Sequence, residues 1–215
     1  MTTVDPCCPH CGYVFPSIPT RKRRCPECRK SVFPRRAPGE TEKHLVTESQ
    51  AAAIEKAWAT HHFLSTWLRN LAAFGVTMDD LERERANLGT AYSDADAIWS
   101  LMNSLATRFI GQSDHQRLAS LYRYMGTFSL DEGRDSFGVF QDSSRERLRA
   151  ATLEGSTHAE VSAIRDMSAC EACVALDGAR FTIEDALKRL PIPHRNCSSG
   201  YGFCRCMWRF SIPPF

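Results

Sequence analysis

Residues 8–28 read CPHCGYVFPSIPTRKRRCPEC, in which two Cys-x2-Cys pairs are separated by 13 residues. Zinc prefers four ligands in a tetrahedron, and two such pairs supply four thiolates to one ion. Gly12 follows the first pair, where a tight turn often requires the positive φ that glycine adopts freely. A segment this short has few apolar side chains to bury, so it would hardly fold without the metal. The spacing predicts a zinc site, with Cys7 left as a spare thiol. Its four predicted ligands are Cys8, Cys11, Cys25 and Cys28.

The ten cysteines of the 215-residue chain lie only near its two ends, five in the first 28 residues and five in the last 46. The residues before Cys7 lack the basic start and apolar stretch of a secretory signal. No apolar run approaches the ~20 residues that a membrane span needs. Without export, clustered cysteines indicate metal ligation more than disulfides. We therefore predict a cytoplasmic protein with metal-binding cysteines at both ends and no membrane partner.

The formal net charge of +2 conceals a basic head joined to a slightly acidic body. Residues 1–40 hold eight Lys and Arg against three Asp and Glu, a net charge of +5, which leaves −3 for the remainder. Basic clusters on a small zinc module are typical of surfaces that bind the phosphates of nucleic acids. The alternative is a solvated loop whose charge offsets that of the zinc-bound thiolates. The candidate nucleic-acid contacts are Arg21, Lys22, Arg23, Arg24, Arg29 and Lys30.

Residues 41–157 contain no cysteine and show apolar residues at helical spacing, which predicts a bundle of four or five helices. Ala37-Pro38-Gly39 is the predicted flexible joint to the head. We expect Trp58 and Trp67 in the core and His115 at the surface. This segment has no Gly-rich phosphate loop, nucleophile elbow or pair of zinc-binding histidines on one helix. The predicted helices run from Thr41 to Phe74, from a cap at Thr77 to about Gly89, from Ser93 to just before Gly111, from a cap at Ser113 past Met125, and from about Leu130 to Glu154.

Residues 158–215 form the third predicted segment, a small α+β module with the other five cysteines. Its predicted elements are a strand at Val161, a Cys170-x2-Cys173 turn, a hairpin turn at Asp177-Gly178, a strand at 179–181 and a helix capped by Thr182.

A second zinc ion is predicted in this module, the alternative being a set of buried free thiols. Cys204 and Cys206 alternate on a predicted strand and would face opposite sides, so both are not expected at one ion. The fourth ligand is left open between Cys204, the first choice, His194, the second because His194-x2-Cys197 also has knuckle spacing, and Cys206. The other three predicted ligands are Cys170, Cys173 and Cys197.

The N-terminal pattern resembles zinc-ribbon modules, and the C-terminal pattern resembles the tail motif of phage Mu F-type head morphogenesis (minor head) proteins. The second resemblance covers about a quarter of the chain. It implies a local zinc-stabilised fold, a role in head assembly and a bacterial or phage-encoded origin. The sequence departs from that motif at Arg195, where the family has proline, and by an insertion of residues 198–203. An N-terminal ribbon is not expected in that family. The residues that carry the resemblance are Cys170, Cys173, Leu176, Gly178, His194, Asn196, Cys197, Cys204, Arg205 and Cys206.

Three functions are compatible with these patterns. The first is a non-enzymatic protein with two zinc ions that acts as an adaptor, binding nucleic acid through the basic head or a protein through the C-terminal module. The second is a phage-type or prophage-derived head-assembly component, as the resemblance implies. The third is a metal-dependent nuclease using His194, which is disfavoured because four soft ligands leave zinc no open position.

The predicted fold is mostly α, with a central helical bundle flanked by two small zinc-stabilised modules that contain short strands. The predicted segments are a basic zinc ribbon in residues 1–37, the bundle in residues 41–157 and the α+β module in residues 158–215.

Overall fold

The computed structural model describes residues 6–210, in which helices dominate and short strands form two small sheets. The helices of this range are α1 (Glu48–Ala72), α2 (Met78–Leu88), α3 (Asp94–Gly111), α4 (His115–Asp131), α5 (Phe137–Leu153), α6 (Glu171–Leu176) and α7 (Ile183–Arg189). The strands are β1 (Arg23–Arg24), β2 (Ser31–Arg35), β3 (His44–Val46), β4 (His158–Ser162), β5 (Arg180–Thr182) and β6 (Met207–Phe210). The predicted fold class, mostly α with small β elements at both cysteine-rich ends, is confirmed. The first five residues of the predicted ribbon and the last five of the predicted C-terminal module lie outside the described residues.

The chain divides into two compact units, residues 1–72 and residues 73–215. The first contains the sheet β1-β2-β3 and α1, and the second contains α2 to α7 and the sheet β5-β4-β6. The boundaries of the three predicted segments stay a prediction.

In the first unit, β2 is the central strand and pairs antiparallel with β1 and β3. The helix predicted from Thr41 was wrong at its start, because β3 precedes α1. Leu45 lies in β3 and packs against the core of this sheet, which explains its apolar character without a helix. That core consists of Cys8, Phe15, Cys25 and Val32.

Polar contacts join α1 to the end of β2. The Arg35 guanidinium donates two hydrogen bonds to Glu55 Oε1, at 3.1 and 2.7 Å. The Trp58 indole N–H donates to the Arg36 carbonyl oxygen at 2.6 Å. Trp58 is 37% exposed, so its predicted core position was wrong, whereas Trp67 is buried as predicted.

In the second unit, two of the four long helices begin at the predicted caps. Thr77 caps α2 and Ser93 caps α3, each in a capping box with the aspartate three residues later. The predicted cap Ser113 was wrong, because its φ is 54° and the Asp114 carboxylate caps α4 instead. The helix predicted over Leu130–Glu154 was wrong at its start, since α4 continues to residue 131 and α5 begins at residue 137.

α4 and α5 pack along each other, with one very close approach and one buried polar link. A Cβ on Gly126 of α4 would lie 2.7 Å from the Phe140 ring of α5. Glu146 of α5 is buried and shares a hydrogen bond of 2.6 Å with His115 Nδ1. The His115 side chain is only 25% exposed, so it links two helices rather than facing solvent freely.

The end of the second unit is an α+β module. β4 is central and pairs antiparallel with β5 and β6. Thr182 caps α7 as predicted. The predicted Cys170-x2-Cys173 turn is the first turn of α6, with Cys170 as its cap residue and the Val174 N–H donating to the Cys170 carbonyl oxygen at 3.0 Å. The hairpin turn predicted at Asp177-Gly178 was wrong, because these residues connect helix α6 to β5. The module shares a core with α5, which consists of Leu148, Ala151, Ala159, Val161, Ile183, Ala186, Ile192 and Trp208.

Candidate metal centres

The first candidate metal centre lies near the N-terminus. It consists of four sulfurs that all lie within 4.8 Å of one another, those of Cys8, Cys11, Cys25 and Cys28. The Cys8 and Cys28 sulfurs are 3.8 Å apart, and those of Cys11 and Cys25 are 3.6 Å apart. Four sulfurs bound at about 2.3 Å to a tetrahedral zinc ion lie about 3.8 Å from each other, so the group fits this metal. Cys7 is exposed and lies outside the group.

Both Cys-x2-Cys turns of this centre have the same backbone. The Gly12 N–H donates to the Cys8 carbonyl oxygen and the Arg29 N–H to that of Cys25, both at 2.9 Å. The residue after each pair has a positive φ, 79° at Gly12 and 60° at Arg29. The positive φ expected at Gly12 is confirmed. The positive φ at Arg29 was not predicted, although Arg29 follows the second cysteine pair as Gly12 follows the first. For a residue with a Cβ this conformation costs about 1–2 kcal/mol.

The residues predicted to contact nucleic acid surround the second turn, and we call them the basic hairpin. They are Arg21, Lys22, Arg23, Arg24, Arg29 and Lys30, all exposed. Within residues 6–210, no ion pair joins any of them to a carboxylate. Lys22 Nζ lies 4.8 Å from the centre of the Phe33 ring. By contrast, the nearby Arg35 is bound to Glu55. The positive charge of the basic hairpin is therefore open to an external anion.

The second candidate centre combines three sulfurs with one imidazole, all within 4.8 Å of one another. His194 Nε2 lies 3.5 Å from the Cys170 sulfur and 3.3 Å from the Cys173 sulfur. The Cys173 and Cys197 sulfurs are 3.7 Å apart. Around tetrahedral zinc, a nitrogen and a sulfur would lie about 3.6 Å apart, so this group also fits the metal. The geometry thus places His194, the second choice for the fourth ligand, in this group rather than Cys204.

Cys204 and Cys206 form a smaller group with Cys173, again with all three sulfurs within 4.8 Å. The Cys173 and Cys204 sulfurs are 3.6 Å apart. The expected alternation of these two cysteines was wrong, because β6 begins at Met207, after both of them. Cys173 therefore belongs to both C-terminal groups. The spacing of the cysteines in the sequence did not predict that two groups would share one cysteine.

Arg205 holds the segment between these two cysteines in place. Its guanidinium donates to both carboxylate oxygens of Asp166, at 2.8 and 2.6 Å, and lies 4.2 Å from the centre of the Tyr201 ring. This pairing holds the pKa of Asp166 well below its usual range.

Hydrogen bonds from backbone N–H groups, that of Ser198 first, lower the pKa of the Cys170 thiol to about 6. They favour the thiolate, which is the form that binds metal.

The insertion of residues 198–203 packs back onto α5. The Phe203 ring stacks on the Phe140 ring, with centroids 4.9 Å apart and planes 13° from parallel. The Ser199 hydroxyl donates to the Phe203 carbonyl oxygen at 2.6 Å. The departure from the resembled motif is therefore an ordered loop that connects the two C-terminal groups.

Comparisons with protein-family models, curated proteins and solved structures find no significant match to this chain. The resemblances to zinc ribbons and to phage Mu F-type proteins therefore stay predictions. In the described part of the chain, no helix combines the length and apolar composition of a membrane span. The predicted compartment also stays a prediction.

Proposed function

We propose that this protein is a non-enzymatic zinc-binding adaptor whose N-terminal module binds nucleic acid. Each group of four ligands holds one zinc ion, the first through four thiolates and the second through three thiolates and His194. Four protein ligands complete the tetrahedron and leave no open position for water or substrate. The ligand sets therefore favour structural ions over the nuclease alternative, in which His194 would have to act on a substrate.

The observation that carries nucleic-acid binding is the basic hairpin, with six exposed cationic side chains and no carboxylate partner within the described residues. Four thiolates and one zinc ion carry a net charge of −2, which offsets only part of that positive charge. Charge compensation at the metal therefore does not account for the whole cluster. Lysines and arginines that neutralise phosphates release condensed counterions, which makes such binding strongly dependent on salt.

The test is to measure affinity for a short DNA duplex, and for an RNA of the same sequence, over a range of salt concentrations. Replacing Arg23 and Arg24 with alanine should flatten the slope of log K against log salt by about 1.8, because each lost phosphate contact removes about 0.9. The matched control replaces Arg180 and Lys188, which pair with carboxylates in the second unit. It removes the same charge and should leave the slope unchanged. Equal slopes in both double variants, or binding that does not respond to salt, would contradict the proposal.

A second function is assembly of a phage-type head through a protein contact of the C-terminal module. It is favoured because the residues of the resembled motif all lie in this module. The ligand atoms of Cys170, Cys173, His194 and Cys197 meet in one group. This supports the local fold that the resemblance implies. We expect the gene to lie among head genes and the product to co-purify with a portal or capsid protein. A gene outside such a cluster, encoding a product that retains nucleic acid, would favour the first function instead.

A further inference from the structure

We propose that the C-terminal module binds two zinc ions rather than one and that the Cys173 thiolate bridges them. The first ion occupies the group of Cys170, Cys173, His194 and Cys197. The second is held by Cys173, Cys204 and Cys206, so the chain binds three ions in total. This inference rests on the proposed zinc-binding function of the first group.

The distances around Cys173 support a shared ligand. Its sulfur lies 3.3 Å from His194 Nε2 and 3.7 Å from the Cys197 sulfur, and also 3.6 Å from the Cys204 sulfur. All three distances correspond to edges of a zinc tetrahedron, which are about 3.6 Å for nitrogen and sulfur and about 3.8 Å for two sulfurs. A thiolate sulfur has lone pairs for two metal ions. One sulfur can therefore stand at the corner of both tetrahedra.

A small cavity lies beside two of the second ion's ligands, Cys173 and Cys206. It has a volume of about 10 Å³, and its walls include Cys170, Cys173, Cys206 and Arg205. This volume is close to the smallest that holds one water molecule, so the cavity has room for a single water molecule. A water molecule in this cavity is the fourth ligand available to the second ion, because the Cys170 sulfur lies outside the group of Cys173, Cys204 and Cys206. Soft thiolate ligands of this kind select zinc over hard cations such as magnesium.

The charge balance is compatible with a second ion. Five thiolates and a neutral histidine carry −1 with two zinc ions. Arg123 and Arg147 line a cavity of about 200 Å³ together with Cys204 and Cys206. Neither arginine forms an ion pair within residues 6–210. Their positive charge opposes the negative charge that remains on the cluster.

The test is the metal content of the whole chain by native mass spectrometry after zinc loading. We expect three zinc ions in the wild-type protein and two in the Cys204→Ser/Cys206→Ser variant. Cys7→Ser is the matched control, since Cys7 is exposed and outside every sulfur group, and it should retain three. Substitution with ¹¹³Cd provides a second readout. Two of the three cadmium resonances should show mutual coupling through the Cys173 sulfur.

The outcomes separate this inference from the function on which it rests. Two ions in the wild-type chain, or three uncoupled cadmium resonances, would overturn the shared site and leave the two groups of four ligands standing. Fewer than two ions would contradict both. A double variant that keeps three ions would also overturn the inference. If that variant does not fold, the wild-type ion count and cadmium coupling still decide.

Discussion

Replacing Gly126 with alanine tests how closely α4 packs on α5 beside the C-terminal metal centre. The new Cβ would lie 2.7–2.9 Å from three atoms of the Phe140 ring. Ordinary carbon contacts lie at about 3.5–4.0 Å, so the ring or the helix must move. The ring is 6% exposed and stacks on Phe203, which limits how it can turn away. We therefore expect the substitution to strain the contact between the two helices.

Two effects of opposite sign set the size of the change. Alanine is favoured over glycine inside a helix by about 1 kcal/mol. Overpacking a well-filled core costs about 1–3 kcal/mol, and three contacts below 3.0 Å place this site in the upper part of that range. The free energy of unfolding should therefore fall by about 1–2 kcal/mol. For a protein of this size, that loss corresponds to a decrease in Tm of about 2–8 °C.

The assay is urea unfolding of the zinc-loaded full chain, followed by circular dichroism. Gly138→Ala in α5 is the matched control, because no atom lies within 4 Å of its new Cβ and only helix propensity acts there. The control should gain up to about 1 kcal/mol. Phe203 lies in the loop between Cys197 and Cys204, so Gly126→Ala should also weaken zinc binding in a chelator competition. A Gly126→Ala protein at least as stable as wild type would refute the reasoning.

Three further changes test other parts of the structure. Glu146→Ala removes a buried carboxylate that joins α4 to α5, so urea titration should show a loss of about 1–3 kcal/mol, with Glu146→Gln less affected. Arg29→Gly should stabilise the first unit by about 1 kcal/mol in thermal unfolding, and Gly12→Ala should destabilise it; effects of the same sign would contradict the shared turn geometry. The Ser93 hydroxyl and then its backbone N–H hold the pKa of Asp96 below its usual value. The stability from this carboxylate is therefore complete above about pH 4 and is lost as the pH falls through the lowered pKa. Asp96→Asn should accordingly be less stable than wild type at pH 7, with a difference that shrinks in acid; a constant difference would count against the capping box.

The features that sequence could predict are those set by short-range geometry. Metal ligation needs two sulfurs within one turn, so the Cys-x2-Cys spacing identified the group of Cys8, Cys11, Cys25 and Cys28 without knowledge of the fold. The caps at Thr77 and Ser93 were predictable for a similar reason, since a capping box is closed within four residues.

The features that were missed depend on partners distant in the chain. Leu45 lies in a strand because β2 is available to pair with it, and its apolar character alone fits a helix equally well. Trp58 was expected in the core, but its N–H finds the Arg36 carbonyl 22 residues earlier. Helical spacing identifies an apolar side chain and does not identify the surface that it meets.

The candidate ligands of the N-terminal cluster are close together in the chain, whereas those of the C-terminal cluster come from distant elements. This difference bears on the number of ions that we propose for each cluster. At the N-terminus all four ligands come from two local turns, and the remaining thiol, Cys7, is exposed. At the C-terminus the ligands come from α6, from the loop after α7 and from the segment before β6. Those elements bring the two remaining thiols, Cys204 and Cys206, within 4.8 Å of Cys173. Within residues 6–210, Cys7 belongs to no group of candidate ligands, whereas Cys204 and Cys206 form one with Cys173. Equal cysteine counts at the two ends therefore predict unequal numbers of ions.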